Sequence, residues 1–141
     1  MSPNTEMSDE VPSGDGWTTG SLDALGSGPG FRKIRAALGV TEFGVNAIVL
    51  PGGYETDFHY HDRQQELYFV HSGVLEITFG DGSSQRLEPG GLARVDAATP
   101  RMLRAIGDDD AVYVIVGAAE GYVGRDGHQV DPSAQRVRQT P

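Results

Sequence analysis

Cysteine is absent from the 141 residues. That excludes disulfide staples and every form of thiolate chemistry, nucleophilic or metal-binding. Lysine is almost absent as well. Lys33 is the only one, and Lys and Arg together number 11 against 20 Asp and Glu. The resulting net charge of −9 repels phosphate backbones and anionic headgroups, so no nucleic-acid partner and no membrane partner is expected. Long apolar runs are missing too. The longest aliphatic stretch, Ala47 to Leu50, is far short of a bilayer span, and Met1 to Glu10 has no apolar core of the signal-peptide kind. A cytoplasmic protein is the expectation.

What the chain does have is glycine and short β-rich runs. Residues 1–30 contain fourteen Gly, Pro or Ser and few apolar anchors, which predicts a largely disordered tail. Within it, Ser21 to Leu25 reads as one short turn of helix capped by Ser21. From Phe31 the pattern changes. Strands are expected at 31–38, 45–50, 58–61, 66–71, 74–79, 85–87, 92–95, 101–105 and 111–116. Turn chemistry separates them, as at Pro51-Gly52-Gly53, Ser72-Gly73, Gly80-Asp81-Gly82 and Pro89-Gly90-Gly91. Many short strands at near-regular spacing predict an all-β sandwich or barrel over residues 31–118. Residues 119–141 are polar and read as a loose C-terminal tail or an arm over a neighbour.

The chemistry concentrates between Gly53 and Gly73. His59 and His61 stand two apart, and Glu66 follows five residues later. Side chains at i and i+2 of a strand share a face, so both imidazoles can converge on one ion. Glu66 would reach the same ion from the next strand. Two imidazoles and a carboxylate hold a divalent metal while leaving coordination positions open.

This run resembles the first motif of the cupin superfamily, G-x5-H-x-H-x(3,4)-E-x6-G, at Gly53, His59, His61, Glu66 and Gly73. The resemblance implies a small single-domain cupin, a double-stranded β-helix or jelly-roll barrel, over residues 31–118. It also implies a divalent metal ion (iron, manganese, zinc or nickel) on His59, His61 and Glu66. The second motif, G-x5-P-x-G-x2-H-x3-N, departs. Counted from Gly90, Asp96 stands at its proline, Ala98 at its glycine, Arg101 at its histidine and Ala105 at its asparagine.

Arg101 therefore stands where a fourth ligand belongs, and a guanidinium offers only donors. Three placements follow for it: beside the metal with an anionic substrate between them, paired with Glu66 in place of a metal, or pointing outward. Alternation puts Glu66, Tyr68 and Val70 on one face, so the Tyr68 hydroxyl is a candidate pocket group alongside Arg101. Asp57 shares the face of His59 and His61 and is a candidate to orient an imidazole. Gln65 would take the place of Glu66 if the ligand loop were one residue shorter. His71 and His128 are expected to be exposed and outside the ligand set.

The function expected from these residues is metal-dependent chemistry on a small anionic molecule, of an oxygenase or Lewis-acid isomerase or lyase type. The alternative is a non-catalytic small-molecule binding or sensor cupin without metal. A homodimer is expected, with the arm after Gly121 and the segment near Phe31 as its contacts.

Overall fold

The computed structural model describes residues 12–140. Fourteen strands follow in order: β1 (Ser13–Gly14), β2 (Trp17–Thr18), β3 (Gly30–Arg32), β4 (Gly44–Leu50), β5 (Tyr54–Thr56), β6 (His59–His61), β7 (Gln65–Ser72), β8 (Leu75–Phe79), β9 (Ser84–Leu87), β10 (Leu92–Val95), β11 (Arg101–Ala105), β12 (Ala111–Ala118), β13 (Gly127–Gln129) and β14 (Val137–Gln139). One short helix, α1 (Ile34–Leu38), lies between β3 and β4. Apart from the β1–β2 hairpin the strands form two sheets. The first runs β10-β7-β12-β4-β3. In the second, β11 is central, with β8 and then β9 on one side. Along its other side lie β5 and β6, flanked in turn by β14 and β13. Two antiparallel sheets packed face to face make the jelly roll expected from the sequence.

Alternation drives this packing. In β7 the exposed residues Leu67 and Phe69 alternate with buried Glu66, Tyr68 and Val70. In β11, Arg101, Leu103 and Ala105 point inward. The core joins Tyr68, Val70, Ala111 and Tyr113 of the first sheet to Leu75, Ile77, Leu103 and Ala105 of the second. Each large aliphatic side chain so buried contributes about 1.5–3 kcal/mol.

Gly73 fixes the corner between β7 and β8. Its φ is 74°, and an added Cβ would lie 2.2 Å from the Asp110 carbonyl oxygen. Backbone on both sides leaves nothing to give way. Gly73→Ala is expected to destabilise the protein by about 3 kcal/mol or more, read as a drop in thermal midpoint. A change within experimental error would mean that this corner rearranges freely.

Three expectations need correction. The run 31–38 is not one strand. It breaks after Arg32, and Ile34–Leu38 is helical and closed by Gly39 in the left-handed conformation at φ 72°. Its Arg-Ala-Ala-Leu composition favours a helix, and Gly39 is a natural C-terminal stop. Next, residues 119–141 are not a loose tail. β13 pairs with β6 and β14 with β5, which covers open sheet edges of this same chain. Arg138 also donates from Nε and Nη2 to Glu55 Oε2 at 2.9 and 2.7 Å. Last, residues 12–30 carry the β1–β2 hairpin and a turn at Asp23–Leu25, where Ser21 Oγ accepts the Ala24 amide at 3.2 Å. The expected disorder of residues 1–11 lies outside the described residues.

Candidate metal centre

β6 is short, and its pleat places His59 and His61 on one face toward the barrel interior. The turn through Asp62, Arg63 and Gln64 then carries the chain from the second sheet to the first. There the inward pleat of β7 presents Glu66, while Gln65 faces out and donates to Asp96 Oδ1. The two sheets thus supply the two kinds of ligand. One nitrogen of each ring and one Glu66 oxygen all lie within 4.8 Å of one another. The imidazoles meet edge to face, with ring centroids 5.3 Å apart.

Two of the three protonation states suit a cation, and a proton on the third group, His61, competes with one. Burial lowers the pKa of His59, and the Arg101 charge lowers it further, so this ring is neutral at neutral pH. Burial also works against a charge on His61, but Glu66 and Asp126 outweigh it and hold its pKa above 6.5. Glu66 is buried too, yet His61, a hydrogen bond from Tyr68 and the Arg101 charge keep it an anion. His61 Nε2 stands 3.4 Å from Glu66 Oε1 and has no hydrogen-bond partner. A buried, unpartnered imidazole nitrogen facing a carboxylate is what a divalent ion would satisfy, so the donor set fits one.

Arg101 is fully buried. It lies directly across from His59 in the β11–β6 ladder, so the two side chains share a face. Of the three placements, the outward one is excluded. The side chain lies inside the barrel rather than at its mouth. Nη2 donates to the Asp96 carbonyl at 3.0 Å and approaches Glu66 Oε1 at 4.0 Å. Nε and Nη1 are buried without partners.

Tyr68 is fully buried, and its hydroxyl donates to Glu66 Oε1 at 2.7 Å. Burial and the Glu66 charge raise its pKa far above the usual range, so it remains a donor. Asp57 is buried, but its Oδ2 has no partner. The acid that touches an imidazole is Asp126, with Oδ1 2.8 Å from His61 Nδ1. Asp126 was missed because it sits in the segment read as a polar tail. The only local signal was the turn-forming Gly124 to Gly127. His71 and His128 are exposed, and His128 Nε2 meets Asp62 Oδ2 at 2.8 Å.

Comparison with known proteins agrees with this arrangement. The Cupin domain family model matches residues 46–117, just over half of the chain, and spans all three candidate ligands. The chain belongs to the cupin family. No curated protein matches this cupin. Among solved structures, a cupin protein from Bacteroides fragilis superposes with a TM-score of 0.64 at 22% identity, covering 78% of this chain and 90% of that one. The DMSP lyase DddQ of Ruegeria pomeroyi gives 0.59 at 19% identity, covering 67% of this chain and 46% of the lyase. Bacillus subtilis oxalate decarboxylase, described with Mn(II) centres, gives 0.62 at 14% identity, covering 83% and 39%. The cupin therefore spans less than half the length of these two enzymes. At such identities the likeness concerns the fold. Among the described residues, no helix is long and apolar enough to cross a membrane.

Proposed function

We propose that this cupin binds a divalent metal through His59, His61 and Glu66 and acts on a small carboxylate held by Arg101. The observation that carries the reading is the Arg101 guanidinium, fully buried beside the ligand cluster with Nε and Nη1 unsatisfied. Unpaired buried charge is costly, and a carboxylate is the natural partner of a guanidinium fork. The metal would supply Lewis-acid or redox chemistry at its open positions. The chain's own groups do the rest. Arg101 binds and orients the anion, and Tyr68 holds Glu66 in place. Bulky Tyr68, Tyr113 and Arg101 occupy the interior, so the substrate must be small. Two proteins of similar fold are named for small molecules, the lyase for DMSP and the decarboxylase for oxalate.

A second reading has one observation in its favour. Arg101 Nη2 lies 4.0 Å from Glu66 Oε1, close enough for the guanidinium to stand in for a metal in a non-catalytic binding module. Titration calorimetry of tag-free protein separates the two. The metal reading expects one iron, manganese, zinc or nickel ion per chain, and tighter binding of small carboxylates once the ion is present. Carboxylate binding that is unchanged by any metal would establish the second reading instead.

The cupin is also proposed to form a homodimer. Leu92 and Phe69 face each other across the β10–β7 ladder, and with Leu67 they leave apolar area on the outer face of the first sheet. Light scattering at micromolar concentration should give twice the chain mass, and Phe69→Glu should return a monomer. A monomeric parent would overturn this.

A further inference from the structure

The match to the family ends at residue 117, and a polar network at the site lies partly beyond that point. Asp126, in the turn before β13, places Oδ1 2.8 Å from His61 Nδ1. Its Oδ2 accepts the backbone amides of Arg63 and Gln64 at 2.8 and 3.1 Å. The Gln64 side-chain amide donates to the same carboxylate. These contacts tie the loop joining His61 to Glu66 onto the C-terminal segment. The Asp126 side chain is only 9% exposed, although the chain around it is at the surface.

Two glycines make room for the network. A Cβ on Gly117 would meet Gln64 Oε1, so any larger residue there would displace that amide. A Cβ on Gly127, opposite His61 in the β13–β6 ladder, would lie 3.2 Å from the ring's Cε1. The imidazole is thus fixed by a carboxylate at Nδ1 and crowded by backbone over its edge.

We infer that Asp126 is a positioning residue for the metal ligand His61, which makes the C-terminal segment a working part of the site. A carboxylate acting only as acceptor requires the hydrogen on Nδ1. The Nε2 lone pair is then left facing Glu66, where the ion would sit. His61 Nε2 is the atom without a partner, which agrees with that tautomer. The arrangement resembles the carboxylate–histidine pairs that orient imidazoles at metal sites, with the carboxylate supplied from outside the family core. The inference rests on the metal reading of the same site, but its structural half can be tested without metal.

The test uses the full chain, labelled with ¹⁵N-histidine, in three forms: parent, Asp126→Ala and His128→Ala. The last removes another side-chain tie of the same segment, the exposed His128–Asp62 contact. NMR of the metal-free protein at alkaline pH, where the ring is neutral, reads the His61 tautomer. Competition against a chromophoric chelator reads zinc affinity. In the parent, His61 should carry its hydrogen on Nδ1. Asp126→Ala should shift it toward Nε2 and weaken zinc by about 10- to 100-fold. His128→Ala should change neither. If Asp126→Ala does not fold, Asp126→Asn serves in its place, because it keeps the volume but cannot accept from His61 and both backbone amides at once. An unchanged tautomer in the Asp126 variant overturns the inference. So does an equal loss of affinity in His128→Ala, which would make docking of the segment the cause. A parent that binds no zinc sinks the metal reading alone, and the tautomer result still decides the role of Asp126.

Discussion

His61→Ala should lower metal affinity by at least three orders of magnitude, and it should do so without unfolding the barrel. Each ligand of a three-residue site contributes a large share of the binding free energy, and neither His59 nor Glu66 can move to replace a missing imidazole. Glu66 is held by Tyr68, and His59 is fixed in the ladder opposite Arg101. The folded state does not need the ion, since the hydrophobic core lies along β7, β8, β11 and β12. Metal content by elemental analysis and melting by circular dichroism read the two halves. A parent-like metal content in the variant would show that the ion binds elsewhere.

The same ligand sets the pH dependence. In the metal-free protein, Glu66 and Asp126 hold the His61 pKa above 6.5. A proton on that ring competes with the ion, so apparent affinity should fall as pH drops below the raised pKa and level off above it, by up to about tenfold per pH unit. The sign for stability is the reverse. A raised folded-state pKa stabilises the metal-free protein at pH below 6.5, and this contribution is lost as pH rises through the folded value. Metal should therefore stabilise the protein more at alkaline than at acidic pH.

The convergence of His59, His61 and Glu66 was readable in the sequence because it depends on short-range geometry. His59 and His61 share a face by the pleat alone, and a short turn delivers Glu66 to the next strand. The barrel was readable for a similar reason, since alternation in β7 and β11 and the turn at Gly73 are local patterns. The errors fell where partners are distant along the chain. Nothing near Asp126 reveals that it will meet His61, 65 residues earlier. The strands β13 and β14 are short and polar, and they gain their order from the edges of β6 and β5 rather than from apolar alternation. Arg101 fell between these cases. Its register came from counting along a degenerate motif, but its burial depends on the opposite sheet.

Arg101→His should tighten metal binding and weaken carboxylate binding in the same protein. At about 5 Å from a dication and an effective dielectric near 20, a guanidinium costs about 7 kcal/mol before Glu66 and any bound anion are counted. Glu66 Oε1, 4.0 Å from Nη2, offsets part of this, so the net gain on removing the charge is smaller. A histidine at this position shares the face of His59 and can add a third imidazole as the fourth ligand. An increase in affinity of about tenfold or more is expected from the two effects together. The anion loses the only guanidinium directed at it from β11, so carboxylate affinity should fall by about 10- to 100-fold, the worth of a charge-assisted pair. Arg101→Lys distinguishes charge from shape. The ammonium keeps the repulsion but loses the planar fork, so metal affinity should stay near that of the parent while carboxylate affinity drops by a lesser amount. Both substitutions shorten a fully buried side chain, and Nη2 also donates to the Asp96 carbonyl, so each will lower the melting temperature. That loss is common to the two variants and cannot produce opposite changes in two affinities. Titration calorimetry with metal, and then with small carboxylates, reads both. If metal affinity fails to rise in Arg101→His, the guanidinium does not oppose the ion, and its unpaired nitrogens serve something other than a metal-bound anion.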